Sequence, residues 1–378
     1  MKTLIVGGGI GGPALATFLS RQGKEVVLID KTPEWKNIGF GLTLWGNGRK
    51  ILRKLGVDSE LSVRGYEVPF IRAYSSEGKQ IWKDLQFGDF NDLGGSVLIV
   101  PRGDLHDLII RAIPKEVDVR LGTSVESITQ FDKKVDVIFN NGTQESFDLV
   151  VGADGVSSNV RGLVFGNKDL QRYGWRFWVF WAPPDVPKSS YAFSVSGKET
   201  AMGFWPTQQN SFIGIGQFGK EALGSDPRSL LYTFKPFLMS RGWTEKNFEE
   251  VLKNATNDFF DELRYVKMGP WRKGRVTLLG DARHAFAPII GWGASLALED
   301  AWVLSEELKE SDDVTQALMR YEKRRDKRVR RVRRFSSLIE LAANFTNRAF
   351  VFCRNTIGRW LPRFLLTFPL RKMLREEI

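Results

Sequence analysis

Cysteine and histidine are nearly absent from this chain. The single cysteine, Cys353, excludes a disulfide framework and any multi-cysteine metal or iron–sulfur centre, and it suits a reducing compartment. Two histidines, His106 and His284, are too few for a histidine-rich metal site, so no metal is expected. Long apolar runs are also missing, so no segment is expected to span a bilayer. Lys2 leads into the strand-like Thr3–Val6 and then into glycine too soon for the core of a secretory leader, and a cytoplasmic location is expected. Evenly spread positive charge is absent too. The net charge of +11 sits in residues 320–378, which hold 17 Lys/Arg against 5 Asp/Glu, and the rest of the chain is close to neutral. That body gives no electrostatic reason to expect nucleic acid as a partner.

What is present is a chain of 378 residues, 42% hydrophobic and 26% charged, long enough for a large core or two domains. Its strongest local pattern comes first. A strand over Thr3–Val6 runs into Gly7-x-Gly9-x-x-Gly12, a helix follows through Leu15, Ala16 and Leu19, and a second strand, Val26–Ile29, ends at Asp30. Gly7 permits a tight turn, Gly9 lets backbone approach a pyrophosphate, and Gly12 lets helix and strand pack closely. Asp30, eighteen residues after Gly12, is placed to bond an adenosine ribose hydroxyl. Gly214-x-Gly216-x-x-Gly219 imitates the glycine pattern but lacks the following strand and acid, so one nucleotide-binding fold is expected.

Two more strand ends carry ligand-type residues. The last of several strands and turns over 117–152, with Asn141-Gly142 as a hairpin turn, stops at Ala153-Asp154-Gly155, with Ser158 and Arg161 behind it. Val276–Leu279 stops at Gly280-Asp281 and is followed by a turn over Pro288–Gly293 and a helix bearing Leu296, Leu298, Ala301, Val303, Leu304 and Leu308. An acid at a strand end beside a helix start suits a polar ligand, because the first helical amides are unpaired and partly positive. Gly39–Gly56 reads as a glycine-rich loop entering a helix. Val100–Ile113 reads as a helix starting near Asp104, with Arg102 just ahead as a phosphate or ribose contact or a solvated charge.

Residues 171–218 hold twelve aromatics in short alternating runs that read as antiparallel strands, and 226–262 read as helices. Tyr321–Arg334 reads as a long helix continuing through Phe335–Phe352. The stretch 358–374 mixes apolar residues with arginines, and it suits either a helix covering the domain joint or a peripheral membrane contact through the basic tail.

With these motifs in order, the chain resembles the single-component FAD-dependent aromatic hydroxylases and monooxygenases of the p-hydroxybenzoate hydroxylase type. The likeness covers 1–56, 100–165 and 270–334. It rests on the first glycine motif with Asp30, on Asp154-Gly155-x-x-Ser158-x-x-Arg161, and on Gly280-Asp281-Ala-x-His284-x-x-x-Pro288-x-x-Gly291-x-Gly293 with Glu299-Asp300-Ala301. It implies an α/β protein: a Rossmann-like FAD-binding domain with a mixed, mainly parallel sheet (1–72, 96–170 and 265–334), an inserted antiparallel substrate domain (73–95 and 171–264), and C-terminal helices (335–378). It also implies FAD held by Gly7, Gly9, Ile10, Gly12, Asp30, Lys31, Arg102, Asp154, Gly155, Arg161, Asp281, Pro288, Gly291, Gly293 and Ala294, with Asp281 on the ribitol chain. NADH or NADPH would serve as transient reductant, and one atom of O2 would enter an apolar or aromatic small molecule through a flavin C4a-hydroperoxide. No catalytic side chain is singled out, and His284 reads as structural.

Trp175, Phe177, Phe204, Trp205 and Trp292 are the expected substrate-pocket residues, Trp292 standing where the family often has Gln and Ser295 where it often has Asn. Two other readings stand beside this one. Trp205-Pro206 followed by Gly214-x-Gly216 matches part of the pattern of flavin-dependent reductases of polyprenyl lipids, and the basic tail suits a non-catalytic flavin-binding interaction protein.

Overall fold

Short strands rich in Val, Ile and Leu, separated by helices, bury both faces best in a parallel sheet. The structure, a computed structural model, describes residues 1–35, 39–166, 169–197, 199–217, 229–254, 259–267, 269–343, 348–376 and 378. Its first sheet runs in the order Arg272–Lys273 (β18), Val276–Leu278 (β19), Leu149–Gly152 (β12), Lys2–Val6 (β1), Glu25–Asp30 (β2) and Asp118–Leu121 (β8). Every pair in it is parallel except β18 with β19. The first strand of the chain lies in the middle, and one beginning at residue 276 completes the side next to β12. Helices Gly11–Arg21 (α1) and Gly293–Lys309 (α9) pack together: a Cβ on Gly11 would lie 2.3 Å from Leu279 and 3.4 Å from Ala297.

The second sheet has seven strands: Phe259–Val266 (β17), Leu170–Trp181 (β13), Ser211–Gln217 (β16), Thr200–Pro206 (β15), Ala192–Ser196 (β14), Phe70–Ser75 (β5) and Leu85–Gln86 (β6). It is antiparallel apart from the pairing of β14 with β5. The fold is therefore α/β, with a mainly parallel sheet and separate antiparallel sheets. One small sheet joins Gln144–Phe147 (β11), Val135–Phe139 (β10) and Val125–Gln130 (β9). Another joins Gly41–Leu44 (β3), Leu98–Pro101 (β7) and Tyr66–Glu67 (β4). Asn141-Gly142 makes the turn between β10 and β11, with Gly142 at φ 79°.

Two expectations need correction. Residues 226–262 are not all helical: helices Ser229–Met239 (α6) and Glu245–Asn254 (α7) are followed by β17, whose backbone pairs along β13. The helix expected near Asp104 is Arg102–Arg111 (α4), because Pro101 fixes its entry and Arg102 donates its N–H to the Phe40 carbonyl at 2.7 Å. The long basic helix is described over Val314–Ala343 (α10); 344–347 lie outside the described residues, and Arg348–Ile357 (α11) and Phe364–Arg375 (α12) follow. Gly219, from the rejected glycine pattern, also lies outside the described residues; Gly214 and Gly216 lie within β16. Among the described residues no helix is long and apolar enough to cross a membrane.

Candidate active site

Three chain segments meet at the carboxyl ends of β1, β12 and β19. Gly7, at φ 117°, has room for nothing more: a Cβ there would lie 2.4 Å from the Ala153 carbonyl oxygen. Gly12 is equally tight, with the Gly7 carbonyl oxygen 2.0 Å from its would-be Cβ. Gly9 differs, because a Cβ there would meet nothing within 4 Å. The turn is closed on the protein side and open on the other, which is the cradle a pyrophosphate requires.

Helix starts supply the donors. Neither α1 nor α9 has a side chain capping its N-terminus, so both present unpaired amides to this crevice. Ile10 and Gly293-Ala294 form those starts. The short Asn159–Phe165 helix (α5) is the contrast. Asp154 accepts from the Asn159 and Val160 amides at 2.7 and 3.1 Å and from Ser158 Oγ at 2.5 Å, and Ser158 caps Arg161 N. Asp154 is thus engaged in holding α5. Arg161 is buried and donates to the carbonyls of Ala282 and Val156, tying α5 to the helical turn Asp281–His284 (α8). Of that motif, Gly155 alone is left open to a ligand, at φ 78° with nothing near its would-be Cβ.

Asp30 ends β2 and accepts the Gly8 amide at 2.6 Å, while its other oxygen takes the amide and hydroxyl of Thr32. Lys31 beside it is exposed. Arg102 and Asp281 face the same recess. Burial lowers the Arg102 guanidinium from its ordinary value, opposed by the charge of Asp281. Asp281 touches solvent at the foot of a crowded crevice, and that crowding raises its carboxyl, opposed by His284 and Arg102. A Cβ on Gly293 would lie 4.0 Å from Asp281 Oδ1, so the acid and the start of α9 adjoin. The short turn from Pro288 ends at Gly291, whose φ of 63° and contact with Thr43 admit no side chain.

Behind this recess is a fully buried charge network. Glu299 accepts from Arg325 at 2.7 Å, from Arg328 and from Asn47 Nδ2 at 2.6 Å. Asp300 accepts from Arg325 Nε at 2.6 Å, from the Gly280 amide at 2.9 Å and pairs with His284 Nε2 at 2.6 Å. Burial alone would raise the Glu299 carboxyl, but Arg328 and Arg325 hold it down at about 2. His284 is therefore buried behind the loop that presents Asp281.

Residues 1–336 match the FAD binding domain family. The chain belongs to that family. It is 28% identical over 391 residues to a flavin-dependent monooxygenase of Legionella longbeachae, covering 100% of this chain and 93% of the relative. It is 27% identical over 369 residues to the 2-heptyl-3-hydroxy-4(1H)-quinolone synthase of Pseudomonas aeruginosa, covering 96% and 94%. In fold it is similar to Klebsiella pneumoniae HpxO, solved with FAD and uric acid, at TM-score 0.85, 22% identity and coverage of 99% and 96%. This FAD-binding chain is an enzyme, a flavoprotein monooxygenase, and its open glycine cradle and uncapped helix starts suit the cofactor of its family.

The face of the second sheet turned toward the FAD crevice carries Phe177, Trp181, Trp205 and Phe212. Trp205 stacks on Phe212 at 5.2 Å and 12°, and Phe40 approaches Trp181 at 6.1 Å. Between them the sheet is floored by glycine. A Cβ on Gly203 would lie 1.8 Å from the Trp205 ring, and one on Gly214 would lie 2.9 Å from Phe177. Two expected pocket residues lie elsewhere. Phe204 follows the strand alternation to the opposite face, stacked on Phe193 at 4.8 Å in the core beneath α6 and α7. Trp292 is fully buried against Trp45 at 5.6 Å, inside the core that includes Phe87 and Phe90, so it walls no chamber. Trp175 is half-buried against Tyr173.

Sequence reasoning missed several neighbours. Trp35 lies over the glycine turn, 2.3 Å from a Cβ on Gly8, and its ring is 5.4 Å from His106. His106 Nε2 bonds the Gly8 carbonyl at 2.7 Å, and burial lowers its pKa. An aromatic five residues beyond Asp30 was the one available signal for Trp35.

Proposed function

We propose that this flavoenzyme uses NADH or NADPH and O2 to insert one oxygen atom into a small, planar apolar or aromatic molecule lying between the flavin ring and the glycine-floored sheet. The observation that supports it is the aromatic face beside the crevice. Phe177, Trp181, Trp205 and Phe212 share that face, with the Trp205 and Phe177 rings lying flat on Gly203 and Gly214, a surface suited to a planar molecule. In this reading the start of α1 and the open side of Gly9 hold the FAD pyrophosphate, Asp30 the ribose and Asp281 the ribitol hydroxyls. Arg102 and Gly155 line the same crevice. The start of α9 turns its positive end to the pyrimidine edge of the ring. Bound FAD supplies the electron and oxygen chemistry, delivering oxygen from its C4a position. The protein binds, orients and excludes water. A relative is named for a quinolone and a fold neighbour is solved with uric acid, both flat heterocycles, which agrees with a flat aromatic face.

Oxygen dependence is the test. Substrate-stimulated NAD(P)H oxidation that needs O2 and yields a product one oxygen heavier is expected across a panel of phenols, quinolones and isoprenoids. Turnover that needs substrate but no O2 would support a polyprenyl reductase instead.

Two variants examine the site. Asp281→Ala is expected to weaken FAD binding about 10- to 100-fold, the range for a hydrogen bond to a charged group, read as flavin content after purification. Trp205→Ala is expected to raise KM for a planar substrate about tenfold with FAD content unchanged, since the ring lies on Gly203 and Phe212 rather than on the cofactor cradle.

A further inference from the structure

The last helices carry a surface that the flavin site does not use. Between Leu338 and Phe368 a run of large apolar side chains is exposed, among them Leu338 (64%), Phe352 (69%), Trp360 (78%), Phe364 (61%) and Phe368 (64%). Scattered exposed apolar residues are ordinary, but a run of this density on consecutive elements is not. Helix α12 shows why the run is not core. Leu370, Met373 and Leu374 are its buried side, packed toward the turn Phe87–Leu93, while Phe364, Leu365 and Phe368 point away into solvent. The same stretch is charged in one sense only: residues 348–375 contain seven Lys/Arg and no Asp/Glu. Arg363 and Arg371 are paired with Asp89 and Asp92, whereas Lys372 and Arg375 are exposed beside the apolar face. On α10, Arg330, Arg333, Arg334, Leu338 and Leu341 line a groove of about 530 Å3.

We propose that this face docks on an anionic lipid bilayer, lying in the headgroup region rather than crossing it. Aromatic and leucine side chains enter the acyl boundary while lysines and arginines meet lipid phosphates, the pairing of features that holds interfacial helices. A second copy of the chain is a poor occupant, because a two-fold contact would set the exposed Lys372 and Arg375 against their own copies. Position gives the docking a purpose, in a reading that rests on the proposed apolar substrate. Gly358 packs against the backbone of Ile81 beside the β5–β6 edge of the substrate sheet, and Ser336 on α10 reaches the Ala287 carbonyl near the crevice. A molecule dissolved in lipid would therefore be delivered close to the domain joint.

The test reads binding and not turnover, so it stands apart from the assignment of the reaction. Full-length, flavin-loaded protein is sedimented with vesicles of phosphatidylcholine alone and of phosphatidylcholine with phosphatidylglycerol. Binding to the anionic vesicles, weakened by added salt and far weaker on phosphatidylcholine alone, is expected. The triple variant W360S/F364S/F368S and the charge reversal K372E/R375E should each lower that binding about tenfold or more, with flavin content and circular dichroism unchanged. Wild-type protein that ignores anionic vesicles, or a triple variant that binds as well as wild type, would overturn the proposal. So would a wild-type dimer in light scattering that the triple variant dissolves, since the face would then belong to a second copy.

Discussion

Gly9→Val protein is expected to fold normally and to purify without colour. The two properties separate because of what surrounds each glycine of the turn. A side chain at Gly9 meets no protein atom within 4 Å, so the fold has no reason to resist it. The same side chain occupies the space in which a pyrophosphate would approach backbone amides, and overpacking of that kind costs about 1–3 kcal/mol, or roughly 10- to 100-fold in FAD affinity. Gly12→Ala provides the opposite result. Its methyl would sit 2.0 Å from the Gly7 carbonyl oxygen, so the strand–helix packing itself must open. Soluble apoprotein from Gly9→Val, with a thermal transition near that of wild-type apoprotein, together with poorly folded Gly12→Ala, is the expected pair. Unchanged FAD affinity in Gly9→Val would remove the pyrophosphate from this turn.

Arg325→Leu should produce the largest loss of stability from a single side chain. Arg325 binds both Glu299 and Asp300 with 1% of its side chain exposed, and removing it leaves two buried carboxylates short of a partner. Breaking a buried pair from one side costs about 3–5 kcal/mol, which for a chain of this length is a fall of roughly 4–6 °C in Tm. Flavin retention should fall with it, because Asp300 also holds the Gly280 amide beside Asp281. The network has a pH signature. Arg328 and Arg325 hold Glu299 at about 2 in the folded protein against its ordinary 4.5, so its contribution is complete above 4.5. It drains away as pH falls from 4.5 toward 2. Acid unfolding of wild type should therefore steepen in that window, and Glu299→Gln, already weakened at neutral pH, should lose less additional stability across it.

The parts of this site that could be read in advance are local. Gly7, Gly9, Gly12 and Asp30 lie on one strand–turn–helix–strand unit, where spacing along the chain fixes spacing in space. Asp281 and Gly293 were legible for the same reason. What escaped depends on pairing between distant segments. The arginines of 320–334 look like a solvated stripe, yet Arg325 and Arg328 are buried because α9 presents Glu299 and Asp300 to them. Phe204 and Trp205 are neighbours with the same chemistry, and only the register of β15 against β14 and β16 decides which of them faces the crevice. Trp292 was placed by analogy with the family position it occupies, but Trp45, Phe87 and Phe90 build a cluster that takes its ring inward. Asp154 carries the right residue type at a strand end, and the first amides of α5 claim it.

The order of β-strands in the first sheet also bears on synthesis. β1 precedes the other strands of this sheet in sequence and takes a central place, but its crevice gains Asp281 only with β19 and its buried counter-ions only with Arg325 and Arg328. A chain interrupted before α10 lacks Arg325 and Arg328, so the crevice gains its full support only once that helix has been made. Early stop codons should yield degradation-prone fragments rather than miniature flavoproteins.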